Sequence, residues 1–195
     1  FLKFEKSSSY NPLIIQEALY SESKKFSKVW SPDNWLNGKN LLLIGGGRSV
    51  LKYKKFIIEY IQKHKPYVIF CNINQYISHK YGKATIICNT KRILIEMPFY
   101  KKLKQPIIIP YSPPKYKFNN DLIKRFLIYP MHIKFNSFSS KKKYCEIHAP
   151  LVMAYSLAII LRSNFNSLNL IGFDGTENDR SDFGDILKIL NIYNS

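Results

Sequence analysis

With 195 residues, 46% of them hydrophobic, the chain is long enough for one domain around a single core and too apolar for a disordered segment. Its net charge of +17 would suit a polyanion, yet its lysines are dispersed among many asparagines, isoleucines and tyrosines, as an A+T-rich genome writes them, so a basic nucleic-acid-binding protein is the weakest of three readings. No apolar run nears the roughly 20 residues of a membrane span, no signal peptide opens the chain, and Cys71, Cys88 and Cys145 lack metal-ligand spacing; reduced, mostly buried thiols in a cytoplasmic protein are the simplest account.

Residues 1–37 read as a lead-in or linker packed on the main domain, with a short amphipathic helix over 12–22 and a turn between Trp30 and Trp35. Residues 38–195 read as one domain. Its first strand, 39–44, is continuously apolar from Leu41 to Ile44, as in a parallel strand covered on both faces. Gly45, Gly46 and Gly47 end it. A helix over 49–64 follows, with Tyr53, Phe56, Ile57, Tyr60 and Ile61 on one stripe, stopped by Lys65 and Pro66. A second apolar strand over 67–71 completes a βαβ unit. Further strands are expected at 84–88, 106–109, 125–129 and 168–171. A helix over 90–102 carries a break or bend at Pro98, and a late helix over 150–162 has Pro150 in its first turn. Residues 111–116 form a loop, 137–143 a polar, basic and mobile stretch, and 182–190 a closing helix. Alternating strands and helices predict an α/β fold: an open, mostly parallel sheet with helices on both faces.

Three places could carry chemistry. Gly45, Gly46, Gly47, Arg48 and Ser49 link a buried strand to a helix. Glycines let a ligand approach the backbone, helix amides favour an anion, Arg48 adds a fork of donors, and Ser49 could cap the helix or touch a phosphate. The run is neither the dinucleotide fingerprint, lacking its third glycine, nor a Walker loop, lacking Gly-Lys-Ser/Thr. Asn72 and Asn74 follow the second strand and could hold a base or sugar edge, or cap a turn. Asp174, between Gly172 and Gly175, ends a strand on the same sheet edge; it could accept from a sugar hydroxyl, ligate a metal, or serve as a turn residue. His148 is the one candidate acid or base, with a structural role the commoner alternative. Lys91 and Arg92 could meet a phosphate. Tyr111 and Tyr116 could stack on a base. Mg²⁺, at Asp174, is the only cofactor these residues suggest.

The run from Leu42 to Val50, the strand end Phe70, Cys71, Asn72, and the block from His148 to Gly175 come in an order that resembles a group of Rossmann-like domains. The group includes the 6-hydroxymethylpterin pyrophosphokinase-like and motility accessory factor proteins and the bacterial sialyltransferases that use a CMP-activated donor. The ending Gly172, Phe173, Asp174, Gly175 is most similar to the domain found C-terminal to an HMG-CoA-lyase-like aldolase in bacterial surface-polysaccharide clusters. A start at Phe1 without Met fits a domain cut from such a fusion. The resemblance implies a nucleotide or nucleotide-sugar over Gly45 to Ser49, with Asn72 near the ribose or base, in a glycosyltransferase-like or phosphotransfer domain of polysaccharide synthesis. A noncatalytic nucleotide-binding module beside an aldolase is the alternative, and a homo-oligomer is compatible with either. The sialyltransferases carry an asparagine and a proline where this chain has Gly46 and Arg48, so their mechanism is not expected intact.

Overall fold

The computed structural model describes residues 29–89, 92, 96–111 and 120–174. The expected helices over 12–22 and 182–190, most of the loop after Tyr111, and Lys91 lie outside the described residues.

Six strands form one open sheet: β1 (Asn40–Ile44), β2 (Tyr67–Cys71), β3 (Ala84–Ile86), β4 (Ile107–Ile109), β5 (Phe126–Ile128) and β9 (Ser167–Ile171). Their order is β5-β4-β3-β2-β1-β9, and every pairing is parallel. Leu41, Leu42 and Leu43 lie opposite Tyr67, Val68 and Ile69 on one side and Leu168, Asn169 and Leu170 on the other. Such a strand has both faces covered past its first residue, which explains why Leu41 to Ile44 are all apolar and buried.

Alternation along the strands divides the core. Leu42, Ile44, Val68 and Phe70 pack on Val50 of α1 (Arg48–Lys52) and on Ile57 and Ile61 of α2 (Lys54–His64). On the same face, Ile87, Ile107 and Ile109 pack on Tyr100 of α3 (Met97–Lys102) and Leu122 of α4 (Asn120–Ile123). The opposite face presents Leu41, Leu43, Ile69, Cys71 and Ile86 to α5 (Val152–Ile160), through Ala154, Tyr155, Ala158 and Ile159. The result is a Rossmann-like open α/β sheet with helices on both faces. Among the described residues, no helix is long and apolar enough to cross a membrane.

Several local expectations change. The expected helix over 49–64 is jointed at Tyr53, whose backbone (φ −105°, ψ 19°) leaves the helical region while Tyr53 N–H still reaches Ser49 O at 2.9 Å. Its buried residues are Val50, Ile57 and Ile61; Phe56, at 67% exposure, faces away from the sheet. Lys65 ends α2 in the left-handed conformation (φ 48°) ahead of Pro66. The expected helix over 90–102 is interrupted at Glu96 (φ −88°, ψ 9°), and Pro98 sits in the first turn of α3 just after it, where no intrahelical N–H is required of it. Pro150 precedes the cap residue of α5, Leu151.

The basic stretch over 137–143 is not a mobile loop. A small sheet of β6 (Met131–Ile133), β7 (Phe138–Ser140) and β8 (Cys145–Ile147), in the order β6-β8-β7, packs against α5. Tyr129, fully buried, places its hydroxyl 2.7 Å from Lys141 O and 2.8 Å from Tyr144 O, pinning the turn that joins β7 to β8. That restraint comes from another element, so no local pattern announces it.

Residues 29–37 are stitched to the end of α5. Arg162 bonds Asp33 at 2.6 Å, Ser163 Oγ accepts from Leu36 N at 3.0 Å, and Gly38 N donates to Asn164 O at 2.8 Å. Trp30, Trp35 and Tyr67 stack edge-on beside this seam. All three cysteines are buried free thiols, and burial pushes those of Cys71 and Cys88 up to about 12.

Candidate functional site

The chain leaves β1 towards β2, and β9 returns on the opposite side of β1. Open α/β sheets form a crevice at the carboxyl end of such a switch point. Parallel strands end on one edge, so the turns after β1, β2 and β9 meet there.

The turn after β1 packs backbone to backbone on the turn after β9. Gly45 N donates to Ile171 O at 2.8 Å, and Gly47 N to Gly172 O at 2.9 Å. A Cβ on Gly45 would stand 2.3 Å from Gly172 O, and one on Gly47 2.5 Å from an Asp174 carboxylate oxygen. Gly172 itself has φ +80°. These glycines serve close approach of two turns. Gly46 differs: it is exposed, and a Cβ there would meet nothing within 4 Å.

Asp174 closes over this turn. Its Oδ2 accepts from Ser49 N at 2.6 Å, and its Oδ1 from the Ser49 hydroxyl. Ser49 therefore does not cap α1. It is the second residue of that helix and is itself capped, across 125 residues of sequence, by a carboxylate. The cap residue Gly47 supplies no side chain. Arg48 is exposed at the first position of α1. An anion above Ser49 would thus meet Asp174 first. Among the described residues no three His, Cys, Asp or Glu side chains come together. Asp174 offers one ligand to a divalent cation, and the others would be water and the oxygens of a bound phosphate.

The two asparagines after β2 behave differently. Asn74 is buried and committed to the protein: Nδ2 donates to Gly45 O at 2.7 Å, and Oδ1 accepts from Tyr76 N and Ile77 N, each at 2.8 Å. It caps a turn and holds the carbonyl of the glycine run, so it acts on the crevice by positioning Gly45. Asn72 adopts φ +65° directly after β2, and its backbone N–H donates to Ile86 O at 2.9 Å. Its Oδ1 is buried with no hydrogen-bond partner among the described residues. An unsatisfied buried amide oxygen costs about 1–3 kcal/mol unless something donates to it.

His79, not foreseen from sequence, supports Asn74. Its Nε2 accepts from Asn74 N at 2.9 Å, and its ring lies 4.2 Å from that of Phe70. Burial holds the imidazole below its ordinary pKa. The neutral form is the one that can accept here.

His148 lies after β8, where Nδ1 accepts from Asn136 N at 2.9 Å and the ring packs on Phe135. No contact joins it to Ser49, Asn72 or Asp174. Arg92 pairs with Glu96 at 3.3 Å. Tyr111 is 4% exposed within the α3–α4 cluster, so it is core rather than a stacking platform.

Compared with protein-family models, curated proteins and solved structures, the chain has no significant match.

Proposed function

We propose that this domain binds a nucleotide or nucleotide-sugar across the switch-point crevice. The observation that carries the reading is Asn72 Oδ1, a buried acceptor without a partner among the described residues, at the carboxyl end of β2 beside the strand that bears the glycine turn. In such sheets the ribose or base lies over this strand end. A ribose hydroxyl or base amino group would supply the missing donor. Gly46 would let the ligand backbone lie against the turn. Because the Asp174 carboxylate already holds Ser49, phosphates would need their charge offset there, and Asp174 is the residue that would hold a Mg²⁺ to supply that. The family resemblance supplies the wider setting: a cytoplasmic, glycosyltransferase-like or phosphotransfer domain of bacterial surface-polysaccharide synthesis, beside an aldolase and compatible with a homo-oligomer.

A second reading, binding without turnover, is favoured by His148, whose ring is engaged by Asn136 and Phe135 and touches none of the crevice residues.

A thermal-shift series with CMP, UDP, GDP, ATP and their sugar conjugates, with and without Mg²⁺, tests the proposal, since a ligand of the native state raises Tm by mass action. One nucleotide class should raise it, more so with Mg²⁺. Asn72→Gly keeps the left-handed backbone favourable and removes the carboxamide, so it should fold as the parent does and lose that shift. Unaltered nucleotide affinity in Asn72→Gly, or no shift with any nucleotide, would refute the proposal.

A further inference from the structure

A cleft of about 550 Å³ opens on the α1–α4 face of the sheet, between the β2–β3 connection and the segment from α3 to β4. Lys80 and Lys83 line it from one side and Lys102 and Lys104 from the other, with His79 and Gln105 between them. The β2–β3 connection carries a short 3-10 turn (His79–Tyr81) in place of a crossover helix. A polar chain runs beside this turn: Asn74 N–H to His79 Nε2 at 2.9 Å, Gln105 Nε2 at 3.4 Å from His79 Nδ1, and Gln105 Nε2 to Thr85 Oγ1 at 3.3 Å. Thr85 is a fully buried polar side chain within the sheet.

The lining is one-sided in charge. It contains four lysines and no acid, and among the described residues none of the four pairs with a carboxylate. Lys80 Nζ also lies 5.2 Å over the Tyr81 ring, and four lysines lining one concavity raise the local potential and draw a multivalent anion. Lysine recognises phosphate as a compact point charge. The volume is that of a small-molecule site. No Phe, Tyr or Trp lines the cleft, so it offers no base a stacking platform, as a site for single-stranded nucleic acid would.

We propose that this cleft binds a compact polyphosphate, an anion carrying several linked phosphates, through Lys80, Lys83, Lys102 and Lys104. The site lies on a different part of the molecule from Asp174 and does not depend on the nucleotide reading.

Isothermal titration of the full chain with tripolyphosphate, without divalent metal, tests it. One equivalent should bind, at least tenfold more tightly than inorganic phosphate. The pair Lys83→Glu and Lys104→Glu should weaken that binding tenfold or more. The pair Lys141→Glu and Lys142→Glu, with the same charge change on the exposed β7–β8 turn, should change it less than twofold. Asn72→Gly should leave it unaltered, which separates this site from the crevice. Equal losses in both lysine pairs would mean attraction to net charge alone and overturn the proposal. So would several weak equivalents of tripolyphosphate, or binding of a 20-nucleotide single strand while tripolyphosphate fails to bind.

Discussion

Replacing Gly45 by alanine brings a methyl group 2.3 Å from the Gly172 carbonyl oxygen, about 1 Å inside the shortest ordinary contact. The obstacle is backbone, so no side chain can swing aside. The turns after β1 and β9 must separate, which strains or breaks the bonds from Gly45 N to Ile171 O and from Gly47 N to Gly172 O. Each buried amide left unpaired costs about 1–3 kcal/mol, so the substitution should cost about 3–5 kcal/mol. That is a large share of the roughly 5–15 kcal/mol of a typical domain. With a urea slope of about 2 kcal/mol/M, the unfolding midpoint should fall by about 2 M. Gly46→Ala is the matched control. Its Cβ meets nothing within 4 Å and Gly46 is not among the positive-φ residues, so its stability should stay within about 0.5 kcal/mol of the parent's. A Gly45→Ala protein that unfolds at the parent's midpoint, or a Gly46→Ala protein that suffers equally, would show that the glycine run is not a packing device.

Two further outcomes are expected. His79 is held below its ordinary pKa of 6.5, so folding favours the neutral ring; its contribution is complete above about pH 6.5 and is lost as the pH falls through the lowered native value. The urea midpoint of the parent should therefore drop between pH 7.5 and 5.0 by more than that of His79→Gln, which can still accept from Asn74 N; equal slopes would remove His79 from the account. Tyr129→Phe deletes the hydroxyl between Lys141 O and Tyr144 O and should cost about 1–3 kcal/mol, with faster amide exchange at Lys141, whose N–H bonds Tyr144 O at 2.8 Å. Unchanged exchange there would mean that the hairpin holds without Tyr129.

Much of the sheet was legible because buried parallel strands must be apolar on both faces. The expected second strand, over 67–71, coincides with β2, and the runs of β1 and β9 differ from expectation by a residue at their starts. Helix faces were less legible. Tyr53 and Phe56 share a helical stripe with Ile57 and Ile61, yet only the isoleucines are buried; periodicity groups residues without saying which edge of the group meets the sheet. The β6-β8-β7 sheet was invisible because its stretch is short and polar and its restraint is Tyr129. The lysine cleft was invisible because its residues come from two segments about 20 apart, and only the fold brings Lys80 and Lys83 opposite Lys102 and Lys104.

The glycine turn divides the two kinds of information. From the sequence alone came its place after a buried strand, and with parallel pairing its nearness to Asn72 and Asp174, because parallel strands end on one edge. Only the tertiary structure assigned the individual roles. Gly45 and Gly47 face the β9 turn, Gly46 faces open space, Asp174 holds Ser49, Asn74 holds Gly45, and Asn72 keeps an acceptor unpaired. Adjacent residues in a turn point in different directions, and the atoms that distinguish Gly45 from Gly46 belong to a strand end more than 120 residues away.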